Sequence, residues 1–435
     1  MPLPNAFRAL AHRNYRLFLI GQGVSMIGTW MQTTGLSWLV YKMTDNSFLL
    51  GLVSFCGQIP AFFLAPIAGV LSDRFDRRRT LFLTQAISMA QAVSLVALTW
   101  TGHIEIWQII ALSAILGTVN AFDMPTRQAF LSDMAPTRVD LPNAIALNSS
   151  MFNLSRLIGP VIGGALLAQW GATACFLANA VSYVAVIVAL ASMRELPVRI
   201  APRLGRVSHG LVEGFKYAFG FAPIRALLMM IAMVSLLGMP ISTLLPVFAK
   251  DVLHGEAPTY GYLLAASGAG ALTGALYLAN RRTVVGLGKP IGGAAVTFGA
   301  SMIAFSYSQS VLLSCGILLI AGFSMLLTLA GCNTLLQTIC DDDKRGRVMS
   351  LYAMAFMGTV PVGSLLAGSL ADAFGAPMAA RINGALCIAG ATAFIIRLPS
   401  LRKQVLPIYQ RVGLVPPITA AVEAVAELQA APVVA

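Results

Sequence analysis

Long apolar runs separated by short polar breaks dominate the chain. About 20 consecutive apolar residues, coiled as a helix, span the hydrocarbon core of a bilayer. Such runs fall at roughly 15–40, 48–71, 80–101, 105–123, 142–169, 172–193, 224–249, 259–280, 286–306, 309–339, 347–372 and 376–396. The pattern predicts an all-α integral membrane protein with twelve transmembrane helices. The longest polar stretch, 194–223, leaves six runs on either side. Pro197 and Pro202 break it, and Ser208–Gly220 reads as a short amphipathic helix lying on the membrane surface. The expected organisation is a six-helix bundle over 1–193, a linker over 194–223 and a second six-helix bundle over 224–397. A mobile tail with one short helix follows over 398–435.

The halves resemble each other. At an offset of 210, Ser25, Gly28 and Gly51 align with Ser235, Gly238 and Gly261. At an offset of 204, Gly164, Leu166, Gly171, Ala172 and Asn179 align with Gly368, Leu370, Gly375, Ala376 and Asn383. Six helices repeated in the same order imply an axis along the membrane normal. Transporters that rock two halves about a central site are built this way.

Composition supports a lipid solvent. The chain is 57% hydrophobic and 11% charged, against about 25% charged in ordinary globular domains. Net charge is +12, which in a soluble protein would suggest nucleic acid. Here 25 of the 29 Lys and Arg residues fall on the termini and the even-numbered loops. Only Lys42, Lys250 and Arg381 fall on odd-numbered loops, and Arg156 lies within a run. Positive charge collects on the cytoplasmic side of inner-membrane proteins, so both termini are expected there and no nucleic-acid partner is. The first run is long enough to span and is not a cleavable signal peptide. Cys56, Cys175, Cys315, Cys332, Cys340 and Cys387 form no CxxC pair and read as small packing residues. No metal or cofactor is expected.

Four polar residues of the first run, Gln22, Ser25, Thr29 and Gln32, are spaced 3, 4 and 3 apart and share one helical face. A polar stripe avoids lipid. It either faces a central cavity or makes hydrogen bonds between helices. The matching second-half residues, Ala232, Ser235, Met239 and Ser242, are greasier, which suits an amphipathic ligand. Asn120, Asn153, Asn333 and Gln337 are further polar candidates, and Trp30 offers a stacking face. Arg156 lies ~20 Å along its helix, where a charge costs at least ~2.5–3.5 kcal/mol unless solvated or paired. It is either a structural residue satisfied by Asn153, water and carbonyls freed by Pro160, or a partner for an anionic or phenolic group or for proton coupling. His12, His103, His209 and His254 lie outside the runs. Asp123 and Asp372, near the ends of their runs, are the remaining acids for proton transfer.

After the second run comes Gly69-Val-Leu-Ser-Asp73-Arg74-Phe-Asp-Arg77-Arg78-Arg79. This resembles the G-x-x-x-D-R-x-x-R-R signature of the major facilitator superfamily. The resemblance implies that fold and a latch between its halves. Gly69 would admit a neighbouring helix, and Asp73 would face the positive N-terminal end of the eleventh span. Arg77 or Arg78 would reach Asp123 at the end of the fourth. The loop at Asn280-Arg281-Arg282 has no matching acid, so the latch is one-sided. Ser155-Arg156-Leu-Ile-Gly159-Pro160-Val-Ile-Gly163-Gly164 is similar to the end of the superfamily's antiporter signature, without its upstream glycines. Gly159, Gly163 and Gly164 favour close helix contact and Pro160 bends the helix. Small residues of the eighth span, such as Gly268, Gly270 and Gly274, predict close packing between the fifth and eighth spans.

RNYRLFLIGQ, GTWMQ, FDMPTRQAF, LPNAIALNSS and DKRGRVMSLY resemble the enterobactin-exporter-like, or transmembrane secretion effector, branch. That resemblance implies a monomeric, proton-driven exporter of a siderophore, drug or secondary metabolite. The alternatives are import, lysolipid movement between leaflets, and an integral-membrane enzyme. The sequence shows no P-loop, nucleophile elbow or HxxxH cluster for the last of these.

Overall fold

The computed structural model describes residues 5–72, 75–134, 140–194, 215–281, 283–341 and 344–415. All regular structure among them is helical. The first half contains α1 (Arg13–Thr44), α2 (Ser47–Ser72), α3 (Arg77–Trp100), α4 (Ile106–Met134) and α5 (Leu141–Ala191). The second contains α6 (Ala222–Met233), α7 (Ile241–Val247), α8 (Ala257–Ala279), α9 (Gly288–Tyr307), α10 (Val311–Ile339), α11 (Arg345–Met357), α12 (Thr359–Phe374) and α13 (Ala376–Arg411).

These elements make twelve crossings. α5 holds the fifth and sixth, which reverse at Gly171, φ 75°. A left-handed backbone angle is cheap only for glycine. Gly375, φ 84°, plays the same part between the eleventh and twelfth crossings, and the two are repeat equivalents. The seventh crossing is assembled from α6, a π turn at Val234–Gly238, α7 and a second π turn at Phe248–Val252. The eleventh is α11 and α12, broken at Gly358. By length and composition alone, nine helical stretches among the described residues are apolar enough to span, including 49 residues of α5 taken as one. α1 and α9 have the length but carry more polar and small residues.

Most of the linker, 195–214, lies outside the described residues, as does the larger part of the expected surface helix at Ser208–Gly220. The tail differs from expectation. α13 continues past 397 to Arg411, through Pro399 and Pro407. Leu398, Leu401 and Val405 are buried on its inner side. Both prolines are exposed, so the carbonyls they free face outward, and the helix bends without breaking.

The helix ends carrying the arginine-rich loops form the basic end of the molecule. At the opposite end, one apolar cluster combines both halves: Val40, Leu50 and Val53 pack with Leu244, Phe248 and Ala367. At the basic end the halves have separate cores, one around Tyr15, Phe18 and Phe130 and one around Ile231, Phe298 and Leu336. The halves therefore close against each other at the opposite end and part toward the basic end.

Two glycine seams make the closure. The fifth and eighth crossings approach so closely that a Cβ on Gly164 would lie 3.1 Å from the Gly261 Cα. The second and eleventh do the same: a Cβ on Gly368 would lie 2.7 Å from the Ser47 carbonyl and 3.0 Å from the Gly51 Cα. The offsets 210 and 204 relate Gly51 to Gly261 and Gly164 to Gly368, so the sequence repeat maps one seam onto the other. Gly164→Leu is expected to disfavour closure by roughly 1–3 kcal/mol, a shift of about 5- to 150-fold between the two arrangements. Spin labels at Thr101 and Gln309, one per half at the opposite end, should move apart. An unchanged distance distribution would contradict the seam's role.

Candidate functional site

The stripe on α1 is divided between two environments. Gln22, Ser25 and Gln32 are buried, 4%, 2% and 3% exposed, inside the first half and not along an open wall. Gln32 Nε2 donates to Gln91 Oε1 (3.1 Å), and Asn179 Nδ2 donates to Gln32 Oε1 (2.8 Å). These bonds satisfy polar groups where lipid offers no partners. Thr29 alone of the four is exposed, its hydroxyl donating to the Ser25 carbonyl at 3.0 Å. The partner residues on α3 escape notice in the sequence, although Thr84, Ser88 and Gln91 share a face at helical spacing.

Arg156 stands where the fifth-to-eighth seam runs out. A Cβ on Gly268 would lie 3.2 Å from the Arg156 carbonyl and 3.3 Å from the Leu157 Cα. One and a half turns onward, the Gly274 surface is met by Phe323 of its own half. Arg156 is thus at the apex of the cleft between the halves. Its half-buried guanidinium carbon lies 6.0 Å from the Trp30 ring centre. Phe152, one helical turn away, meets Trp30 edge-on, with centroids 6.3 Å apart. No carboxylate among the described residues pairs with Arg156. Asn153 does not bond it; its side-chain amide donates to the Ser149 carbonyl at 2.9 Å.

Asn120 is exposed on α4, at nearly the depth of Arg156, ~20 Å from the basic end. Asn333 and Gln337 are not part of that group. They lie within ~10 Å of the basic end of α10 and bond each other at 3.1 Å. Gly159 packs under Trp30 and Gly163 against Met31, so this part of the glycine motif fastens α5 to α1. Pro160 and Gly164 face the eighth crossing, where the Pro160 carbonyl lies 2.9 Å from a Cβ on Gly261.

The expected latch is rearranged. Gly69 is in the last turn of α2; Asp73 and Arg74 lie outside the described residues. Arg77 does not reach Asp123. It donates to Asp133 Oδ2 at 2.8 Å and to the Ala129 carbonyl at 3.2 Å. Arg78 donates to the carbonyls of Leu190 and Ala191 at 2.8 and 3.0 Å. Asp123 is 2% exposed, ion-paired with Arg127, and accepts from Thr84 Oγ1 and Gln85 Nε2, each at 2.8 Å. The physical reason is depth: Asp123 lies about three turns up α4, whereas Asp133 is beside its end.

Ionic contacts also close the opposite end. Lys250 pairs with Asp45, and the Tyr41 hydroxyl donates to Asp251. The Lys250 ammonium lies 5.4 Å from the Tyr41 ring centre, and Trp38 stacks on Tyr260 with centroids 6.2 Å apart. All four contacts cross between halves. Asp45→Asn is expected to shift the balance away from the closed arrangement by only about two- to fivefold, as for an exposed ion pair. The same pair of spin labels reads this, and a shift as large as that of Gly164→Leu would contradict it.

Among the described residues, no three His, Cys, Asp or Glu side chains gather to hold a metal. All six cysteines are free thiols. Burial pushes the Cys340 thiol, beyond the end of the tenth crossing, up to about 11, so it is protonated and inert at neutral pH.

Residues 5–422 match the family described as transmembrane secretion effector. The staphyloferrin A transporter of Staphylococcus aureus is 27% identical over 402 residues, 89% of this chain and 97% of that protein. The multidrug efflux pump Tap of Mycolicibacterium fortuitum is 26% identical, covering 78% of this chain and 84% of the pump. Among solved structures, the nucleoside transporter NupG shares the fold at a TM-score of 0.71 and 12% identity, over 88% of this chain and 99% of that one.

Proposed function

The chain belongs to the transmembrane secretion effector family of the major facilitator superfamily, and from that premise we propose that it exports small amphipathic anions by alternating access. It is a multi-pass protein of the bacterial inner membrane and a secondary transporter of small molecules. The basic end with both termini faces the cytoplasm in this reading, by the distribution of positive charge. The cleft then opens inward, ready to load.

One observation carries the substrate class. Arg156 sits at the cleft apex with no carboxylate partner among the described residues, beside Trp30 and Phe152. A cation and two aromatic faces suit a planar or apolar molecule bearing a carboxylate or phenolate. Asn120 and Thr29 supply further polar contacts. Siderophore-like acids, the cargo class of an enterobactin-exporter-like protein, fit this description. The similarity to a staphyloferrin A transporter and to a multidrug pump supports export of such molecules.

Proton drive is part of the proposal. Asp45 and Asp251 take part in the contacts that close the outward end and are reached by protons entering from outside. Loss of the Asp45 charge would remove the ion pair with Lys250 between the halves and favour opening. The test is accumulation of a panel of acidic, neutral and cationic amphiphiles in an efflux-deficient bacterium expressing the chain, with and without a protonophore. Acidic compounds should be expelled, and the protonophore should abolish expulsion. Uptake, or efflux confined to cations, would overturn the reading.

A further inference from the structure

A hollow of about 300 Å³ lies away from the cleft, at the basic end of the second half. Leu227, Leu335, Ile339, Phe394 and Leu401 give it apolar walls, and Arg402 and Lys403 stand among its lining residues. Among the described residues, no acidic side chain lines it. Arg402 and Lys403 are exposed, and neither makes an ion pair among the described residues. The neighbouring acid Asp341 is engaged elsewhere, by the Tyr217 hydroxyl at 3.0 Å and by Arg411 at 3.5 Å.

The depth of this hollow matters. α13 has 36 residues, hence ~54 Å of helix, against ~30 Å of hydrocarbon. Residue 402 lies ~40 Å along it, past the hydrocarbon and at the level of the lipid headgroups. The apolar walls reach back from there toward the acyl region. The extension is amphipathic at this depth, with Leu398, Leu401 and Val405 inward and Arg402 and Lys403 outward. An occupant must therefore be apolar at one end and anionic at the other, with its charge at headgroup depth.

We propose that this hollow is a binding site for an anionic phospholipid, with an acyl chain between α6, α10 and α13 and the phosphate on Arg402 and Lys403. Basic pockets between helices on the cytoplasmic side of membranes are suited to such headgroups. A bound lipid would brace the start of the seventh crossing, the turn at Val285–Gly288 and the helical extension, all within the second half.

The test uses the purified, delipidated full chain in neutral detergent, with native mass spectrometry and thermal melting as readouts. Phosphatidylglycerol should be retained and raise the melting temperature, whereas phosphatidylcholine and free glycerol phosphate should do neither. The double variant Arg402→Gln, Lys403→Gln should weaken phosphatidylglycerol binding by roughly 30-fold while melting like the wild type without lipid. Val285→Trp, which narrows the hollow and keeps both charges, should also lose retention. Equal retention of phosphatidylcholine, full retention by the double variant, or the same thermal shift from glycerol phosphate alone would each overturn the proposal.

Discussion

Arg156→Ala is expected to reduce export of acidic amphiphiles by roughly 10- to 150-fold, the worth of one charged hydrogen-bonding partner, while leaving the folded protein at least as stable. The two halves of that expectation have different origins. The guanidinium lies over Trp30 at the cleft apex with no carboxylate partner among the described residues, so under the proposed function its favourable interactions come mainly from a bound anion. Its presence at mid-helix otherwise costs about 2.5–3.5 kcal/mol, so removing it relieves the protein. Arg156→Lys keeps the charge but loses the planar fork and should retain part of the export. Neutral and cationic compounds should be handled alike by all three proteins. The measurements are initial efflux rates together with melting temperature in detergent. A lower melting temperature with unchanged efflux would make Arg156 structural and remove it from the site.

The largest expected loss of stability is at Asp123. Asp123→Ala leaves the Arg127 cation partly buried and deprives Thr84 and Gln85 of their acceptor. Breaking one partner of such a buried pair costs about 3–5 kcal/mol. Asp123→Asn keeps an acceptor for Thr84 and should fall between the two. Asp133→Asn, at the end of α4, weakens the Arg77 contact near the surface and should affect stability less. Melting of the three variants should rank in that order. An unchanged melting temperature in Asp123→Ala together with lost proton-dependent efflux would assign Asp123 to proton transfer instead.

The twelve crossings, their boundaries near Gly171 and the two-half repeat were readable because lipid imposes a length and a charge asymmetry on every segment. The repeated glycines were readable too, and the structure gives them a purpose: Gly51, Gly164, Gly261 and Gly368 are the seams. What sequence could not supply was the direction of each side chain. Gln22, Ser25 and Gln32 share a face, but a polar face is satisfied equally by a cavity or by Gln91 and Asn179. Arg77 had two acids within reach along the chain, Asp123 and Asp133, and only depth chooses between them. The π turns of the seventh crossing insert extra residues without any apolar or polar change, so periodicity passes over them. The twelfth run ends at 396 in the sequence, yet the helix continues through Pro399 and Pro407, which fall on the exposed side, where a proline bends a helix without ending it.

The one-residue reversals at Gly171 and Gly375 have a consequence for how the protein meets its surroundings. Between described helices, the connections at the opposite end are one to five residues long. Almost nothing protrudes there. A protease added from that side finds no extended strand of chain to grip, and an antibody finds no epitope larger than a few helix ends. An affinity tag placed between the fifth and sixth crossings would split a continuous helical path instead of lengthening a loop. Surface labelling from that side therefore needs a cysteine engineered into the 101–105 or 253–256 connection, the longest that each half provides.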